Sequence, residues 1–412
     1  MLGIAGKCIG VTLACPSTSV NQDPDGLISE YVGVRFEERS SYTETYGFAG
    51  SQGVVNLDGV LIRPNTPSRT LLFFMHPTTA LHILPVPRSL ARLGFHVLCG
   101  QNRYTRNDTS LIFEKVLLDY GAFIRHAKER LGYEKVVLFG WSGGGPLATF
   151  YQAEAENPTI THTPAGDPVD IRGAGLLPGD AIVFQAGSIS RARILAESID
   201  PSVRNELNPD DRVRDLDLYD PANPNRPPYD DAYVATFRDA QRARMQRITG
   251  WAWDQLRRLR QRGGAEIERC FLTHRTMADP RWLDASVDHN DRQSNWCVSG
   301  IPEAVNSGPV GFGRFSTLRS WLSQWSTKDT RADAVASVTR ISAPLLAIEN
   351  SADEAAPASH IRDVFDASRS PDKTHIVVTG ANHYYRNQPA LLANSSQSAF
   401  EWIIRRNIFP DG

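Results

Sequence analysis

A single serine stands among four glycines in the stretch GWSGGG, residues 140–145. An apolar run at 135–139 precedes this stretch and predicts a strand, and the residues after it predict a helix. A serine on a sharp strand-to-helix turn stands clear of the backbone, and small residues two positions before and after it let the strand and the helix approach closely. Gly140 and Gly144 occupy those positions. The pattern predicts a nucleophile at Ser142, although a glycine-rich turn with a passive serine also satisfies it.

A serine nucleophile needs a base, and the base needs a group that orients it. His383 follows an apolar run at 374–380, and Asp353 follows another at 343–350. Taken singly, the histidine also fits an ordinary loop residue, and the aspartate also fits a turn or a helix cap. Because the carboxyl ends of parallel strands meet at one edge of a sheet, we expect both side chains to lie beside Ser142.

Serine acyl transfer also requires hydrogen-bond donors for the oxygen that becomes negatively charged. We expect the first donor to be the backbone N–H of Gly143, directly after the serine. The second is expected from the loop at 75–80, which follows another predicted strand. Pro77 has no N–H to donate, so Thr78 is the candidate and Thr79 the alternative.

With these pieces in place, the sequence resembles α/β-hydrolase-fold serine hydrolases that carry a large helical cap. The matching motifs are HPTT at the expected oxyanion loop, GWSGGG at the nucleophile, NSADEAAP at the acid and GANHY at the histidine. The chain order of serine, aspartate and histidine is also that of this family. The resemblance covers about 31–187 and 341–407 and implies that Ser142 is the nucleophile, His383 the base and Asp353 its orienter.

The sequence departs from the family pattern at the oxyanion loop, and its nucleophile distinguishes it from related families. Many members have His-Gly before the oxyanion donor, whereas this chain has His76 followed by Pro77, which narrows the freedom of the loop. Related families place aspartate or cysteine at the nucleophile. Ser142 therefore argues against dehalogenase and epoxide-hydrolase chemistry.

The predicted elements that position these residues alternate between strands and helices. Most of the strands are apolar on both faces, which is typical of a mostly parallel sheet covered on both sides, the doubly wound α/β class. Predicted strands lie at 31–39, 53–64, 70–75, 95–99, 135–140, 179–187, 343–350 and 374–380. Predicted helices lie within 81–94, 110–132, 357–368 and 390–407.

The alternation stops between about 188 and 340, where a proline- and aspartate-rich stretch is followed by a long predicted helix within 237–264. Insertions of this size in a compact domain are usually functional, often as lids. The predicted organisation is an N-terminal extension at 1–30, a first core part at 31–187, a helical cap insertion at 188–340 and a second core part at 341–412.

Four residues are candidates for substrate contact: Trp141 beside the nucleophile, and His274, Arg275 and Trp282 in the predicted cap. Arg275 could meet a substrate carboxylate, but a structural turn in which His274 and Arg275 bind backbone carbonyls is the preferred interpretation. The eight arginines between 238 and 262 are expected to form a solvated helix face.

Composition excludes some function classes. The 412 residues include 44 basic and 46 acidic ones, a balance that gives no reason to expect a nucleic acid or an anionic membrane as partner. Five scattered cysteines favour reduced thiols, and no spacing indicates a metal site or a cofactor. The first 15 residues resemble a signal peptide only faintly, so a cytoplasmic protein is preferred over an exported one. The sequence is compatible with a homodimer but does not predict the oligomeric state.

The expected function is hydrolysis of a carboxylic ester, lactone or amide of a small, mainly apolar compound through an acyl-enzyme. The alternatives are a C–C bond hydrolase acting on a diketone-type substrate, an acyltransferase, and a non-catalytic binding protein on the same fold.

Overall fold

The computed structural model describes residues 25–38 and 53–409. In this part of the chain twelve strands form, and the eight that make up the main sheet correspond to the eight predicted from the sequence. The strands in chain order are β1 Ile28–Glu37, β2 Val54–Arg63, β3 Thr70–Phe74, β4 His96–Gly100, β5 Lys135–Trp141, β6 Ala181–Gln185, β7 Val203–Asn205, β8 Asn208–Arg212, β9 Cys270–Leu272, β10 Phe315–Thr317, β11 Leu345–Asn350 and β12 Lys373–Val378.

The helices of the same part of the chain cover both faces of the sheet or lie between β6 and β11. They are α1 Pro85–Arg92, α2 Phe113–Glu129, α3 Gly144–Glu156, α4 Arg191–Ser198, α5 Asp231–Arg262, α6 Pro280–Leu283, α7 Pro302–Asn306, α8 Leu318–Ser320, α9 Ala334–Val338, α10 Ala358–Ala367 and α11 Pro389–Ile404.

The main sheet has eight strands in the order β1-β2-β4-β3-β5-β6-β11-β12. β2 is antiparallel to both of its neighbours, and every other neighbouring pair is parallel. Strands β3, β4, β6 and β11 are buried at every position, as expected for strands covered on both faces. The predicted mostly parallel, doubly wound sheet is confirmed.

Two apolar cores lie on opposite faces of this sheet. The core on one face packs α2, α3, α9 and α10 against the strands. The core on the other face packs α1 and α11. A sheet held between two helical layers keeps its strand ends fixed, so loops at the carboxyl edge are anchored on a rigid support.

The boundaries of the predicted elements differ from the observed ones by a few residues. β1 begins at Ile28, inside the stretch predicted as an N-terminal extension. The rest of that extension, including the weak signal-like stretch, lies outside the described residues apart from 25–27. α9 packs against α3 in the main core, although the sequence placed its residues in the insertion.

The segment at 188–340, called the cap segment below, adds no strand to the main sheet within the described residues. Its longest element is α5, 32 residues, whose buried stripe packs against α4 and two tryptophans that follow β10. The arginines of α5 are mostly at the surface, as predicted, with one correction. Arg244 is 1% exposed and binds Glu206 and three backbone carbonyls, so the solvated-face prediction is wrong for this residue.

Candidate active site

Ser142 occupies the turn between β5 and α3 in a strained backbone conformation. Its φ is 55°, in the left-handed region that residues with a Cβ rarely adopt. A Cβ added to Gly140 would lie 2.6 Å from the Cα of Gly145, and one added to Gly144 would lie 2.6 Å from the backbone oxygen of Met75. Glycine is therefore required at 140 by the close approach of β5 and α3, and at 144 by the close approach of α3 to the loop after β3.

The structure brings the three side chains predicted from strand ends into one hydrogen-bonded chain. Ser142 Oγ lies 3.0 Å from His383 Nε2. On the other side of the ring, His383 Nδ1 lies 2.8 Å from Asp353 Oδ2 and 3.0 Å from Oδ1. Asp353 Oδ1 also accepts the backbone N–H groups of Ala355 and Ala356, which fixes the carboxylate. In this arrangement His383 can take a proton from the serine while the aspartate holds the ring.

The histidine is completely enclosed, with 1% of its surface exposed. Burial lowers the pKa of His383, but the attraction of Asp353 and the hydrogen bond to it outweigh burial and raise the pKa above its ordinary value. Trp141 packs against the ring with centroids 4.6 Å apart. Trp141 therefore packs against His383 and also lines the cavity in front of Ser142.

In the loop after β3, the two backbone N–H groups expected to serve as the second oxyanion donor already have an acceptor. The backbone N–H groups of Thr78 and Thr79 both donate to His76 Nδ1, at 3.1 and 2.9 Å. In this conformation neither Thr78, the predicted donor, nor Thr79, its alternative, has a backbone N–H that is free for the substrate. The cause is the side chain of His76, two residues before Thr78 and three before Thr79, which accepts from both N–H groups. The buried side chain of Asn102 also stabilises the loop by donating to the backbone oxygens of His76 and Pro77.

Gly143, the expected first donor, lies at the start of α3, where backbone N–H groups lack partners within the helix. Its N–H donates to no group among the residues that the structure describes. The positive end of the helix dipole reinforces this position as a site for negative charge. Gly143 therefore remains available for the role predicted from the sequence.

A cavity of about 440 Å³ opens in front of Ser142, between the sheet edge and the cap segment. Much of its wall is apolar, with Trp141, Ile194, Val298, Val310, Phe312 and Trp325 among the lining residues. Asp108, Arg191 and Arg314 are the charged side chains in the lining.

The two arginines are in different electrostatic situations. Arg191 forms an ion pair with Asp108 and lies over the Trp325 ring, 4.3 Å from its centroid. Arg314 is 4% exposed and donates to backbone oxygens of Thr273 and Asn306, and no described carboxylate lies within ion-pair distance of it. Burial comes first among the causes that lower the pKa of Arg314 to about 10. One cationic charge on the cavity wall is therefore not balanced by a carboxylate.

Three of the four predicted substrate contacts do not line this cavity. Arg275 binds the buried carboxylates of Asp200 and Asp217 at 2.7 and 2.6 Å, so the hypothesis that it meets a substrate carboxylate is corrected. Trp282 packs behind the acid loop, and its indole N–H donates to the backbone oxygen of Glu354. His274 lines a separate groove of about 510 Å³ in the cap segment.

Sequence reasoning assigned no role to Arg191 or Arg314. A signal for Arg191 existed, because it follows β6 and the same strand-end argument that located Ser142 applies to it. No comparable signal exists for Arg314, which lies deep in the cap segment. Among the described residues no group of three or more His, Cys, Asp or Glu could hold a metal ion. No described helix is long and apolar enough to cross a membrane.

Together, the strand order, the strained serine turn and the positions of the acid and histidine after β11 and β12 define the α/β-hydrolase fold. The expected fold is thereby confirmed.

No family model and no curated protein matches the chain. Similar solved structures include DcsB in complex with its substrate analogue, at 12% identity and a TM-score of 0.48 over 92% of this chain and 99% of that one. The esterase domain of a Rhodothermus marinus protein has 12% identity and a TM-score of 0.44, covering 91% and 98%. The Paleococcus ferrophilus monoacylglycerol lipase has 16% identity and a TM-score of 0.43, covering 85% and 98%.

Proposed function

We propose that the protein is a serine hydrolase that cleaves a carboxylic ester, lactone or amide through an acyl-enzyme. The observation that supports this most is the hydrogen-bonded chain from Asp353 through His383 to Ser142, which ends at a cavity. A passive serine would have no need of a φ of 55° or of a buried histidine–aspartate pair behind it.

In the proposed mechanism, His383 accepts the proton of Ser142 as the serine oxygen attacks the substrate carbonyl. Asp353 holds the ring and stabilises its positive charge while the tetrahedral intermediate exists. The N–H of Gly143 donates to the negative oxygen. Proton transfer from His383 to the leaving group gives the acyl-enzyme, and a water activated by the same histidine then releases the acid.

The proposed substrate is small and mainly apolar, because the cavity has about 440 Å³ and much of its wall is apolar. The charge of Arg314, which no described carboxylate balances, favours a substrate with a negatively charged group. A substrate whose acyl portion ends in a carboxylate would give that cation a partner, and a hydrogen bond to a charged group contributes about 1.5–3 kcal/mol. We therefore expect anionic acyl chains to be favoured over neutral ones of equal length.

The other candidate functions use the same residues differently. A C–C bond hydrolase would keep the serine and the histidine but act on a diketone, and an acyltransferase would pass the acyl group to an alcohol. A non-catalytic binding protein would not need the hydrogen-bonded Asp353, His383 and Ser142. No feature of the cavity favours these alternatives over hydrolysis.

The proposal is tested with p-nitrophenyl esters of short acyl chains. The wild-type protein should turn them over, and Ser142→Ala should abolish turnover with an unchanged unfolding midpoint in urea. Turnover of a β-diketone with a higher kcat/KM would favour C–C cleavage. Ester appearing only when an alcohol is supplied would favour acyl transfer. Turnover retained in Ser142→Ala would reject the assignment of the nucleophile.

A further inference from the structure

The geometry points to the imidazole of His76 as the second donor of the oxyanion hole, with its Nε2–H taking the place usually given to a backbone N–H of the loop. This inference rests on the proposed serine hydrolysis. It assigns a catalytic role to a side chain that lies in the loop after β3 and lines the same cavity as Ser142.

The hydrogen bonds around His76 determine which ring nitrogen carries the proton. Nδ1 accepts two backbone N–H groups, those of Thr78 at 3.1 Å and Thr79 at 2.9 Å. A nitrogen that accepts hydrogen bonds presents its lone pair, so the proton of the neutral ring is on Nε2. The loop therefore fixes the tautomer in which Nε2 is a donor.

His76 Nε2 lies against Gly143, the residue that carries the first expected oxyanion donor. A Cβ built on Gly143 would lie 2.8 Å from His76 Nε2, so the ring edge packs directly against the Gly143 backbone. Every described hydrogen bond of the His76 ring is made through Nδ1, and none is made through Nε2. Nε2–H is thus a donor without an acceptor among the described residues, close to the residue whose N–H we assign to the developing negative charge. A larger residue at position 143 would press against the His76 ring.

The surroundings keep the His76 ring neutral. Burial, followed by the positive charge of Arg191 and that of protonated His383, lowers the pKa of His76 to about 3. A neutral ring donates from Nε2 without competing with His383 for the serine proton. A neutral imidazole used as an electrophile is established chemistry in another enzyme fold, where a helix N-terminus lowers the pKa of the histidine.

The same contacts explain why the two threonines do not serve. Each backbone N–H already donates to His76 Nδ1. Turning either one toward the substrate would break one of the two hydrogen bonds that hold the loop. Asn102 binds the backbone oxygens on both sides of the His76–Pro77 bond, which resists such a rotation. His76 thus has two separable roles: Nδ1 organises the loop, and Nε2 faces the reaction.

Two substitutions separate these roles because they keep different nitrogens of the ring. His76→Asn places an amide oxygen near the position of Nδ1 and nothing at Nε2, so the loop keeps its acceptor and the reaction loses its donor. His76→Gln places an amide N–H near the position of Nε2 and removes the acceptor at Nδ1. Both variants are compared with the wild-type protein for kcat and KM on a p-nitrophenyl ester and for urea unfolding.

The expected result is a fall of about 10²- to 10³-fold in the kcat of His76→Asn, with KM changed by less than about threefold, since that is the usual effect of losing one oxyanion donor. His76→Gln should retain kcat within about tenfold of the wild-type value. A purely structural role predicts the opposite order, so the inference is overturned if Gln falls as far as Asn or further. Wild-type protein without ester turnover would instead refute the proposed function.

A second measurement does not depend on the folding of any variant. Protein labelled with ¹⁵N at histidine should show a His76 ring that is neutral from pH 5 to pH 8 and carries its proton on Nε2. A proton on Nδ1, or a ring that titrates within this range, would overturn the inference.

Discussion

Replacing Gly140 by alanine tests whether the strand-to-helix turn positions Ser142 as described. The added methyl carbon would lie 2.6 Å from the Cα of Gly145 and 2.7 Å from the backbone oxygen of Gly144. Non-bonded carbons reach their optimal separation at about 3.5–4.0 Å. Both obstacles are backbone atoms, so β5 and α3 must separate by about 1 Å before the side chain fits.

The magnitude follows from that displacement. Overpacking of a well-filled interior typically costs about 1–3 kcal/mol of stability. Ser142 lies between the two elements that must separate, so its oxygen moves relative to His383 Nε2, now 3.0 Å away. A misplacement of about 1 Å can lower the rate about 10²-fold. We expect the folded Gly140→Ala protein to lose about 10²-fold in kcat on a p-nitrophenyl ester.

The matched control is Gly250→Ala. Gly250 lies within α5 and is exposed, and a Cβ there would meet nothing within 4 Å. Alanine should stabilise this helix by about 1 kcal/mol and leave kcat unchanged. Urea unfolding of both variants gives the stability, and initial rates give kcat. Wild-type kcat and stability in Gly140→Ala would refute the explanation of the glycines at the turn.

Three further predictions concern charged groups. Because the pKa of His383 is raised and the neutral ring is the base, kcat/KM should fall as pH drops through a pKa above 6.5; a fall centred at or below 6.5 would contradict this. Arg275→Ala should lower the unfolding free energy by about 3–5 kcal/mol, because buried Asp200 loses its cationic partner and Asp217 is left with Arg212 alone, while kcat stays within about threefold. If kcat/KM collapsed at unchanged stability, Arg275 would instead bind substrate. Arg314→Met should reduce the kcat/KM ratio of a carboxylate-ended ester to a neutral ester of equal length by at least about tenfold. An unchanged ratio would remove Arg314 from substrate selection.

The sequence predicted the sheet and the meeting of three distant side chains for one physical reason. Buried parallel strands appear as apolar runs, and their carboxyl ends share one edge. Ser142, Asp353 and His383 each follow such a run, so their proximity could be inferred across 241 residues of separation between the serine and the histidine. Helix and strand positions were correspondingly close to those observed.

The local hydrogen bonding could not be predicted in the same way. Whether Thr78 offers a free N–H depends on the side-chain rotamer of His76, which no apolar pattern encodes. The role of Arg275 depends on carboxylates 75 and 58 residues away that reach it only through the fold of the cap segment. Irregular segments lack the periodicity that relates sequence to position, and Arg314 was missed for the same reason.

The most direct test of the central claim is to trap the covalent intermediate. The protein is mixed with a p-nitrophenyl ester, quenched in acid during turnover, digested and mapped by mass spectrometry. The account predicts one acyl group per chain, on the peptide that contains Ser142, and no adduct in Ser142→Ala. Turnover that proceeds without an adduct at Ser142, or with an adduct on another residue, would contradict it.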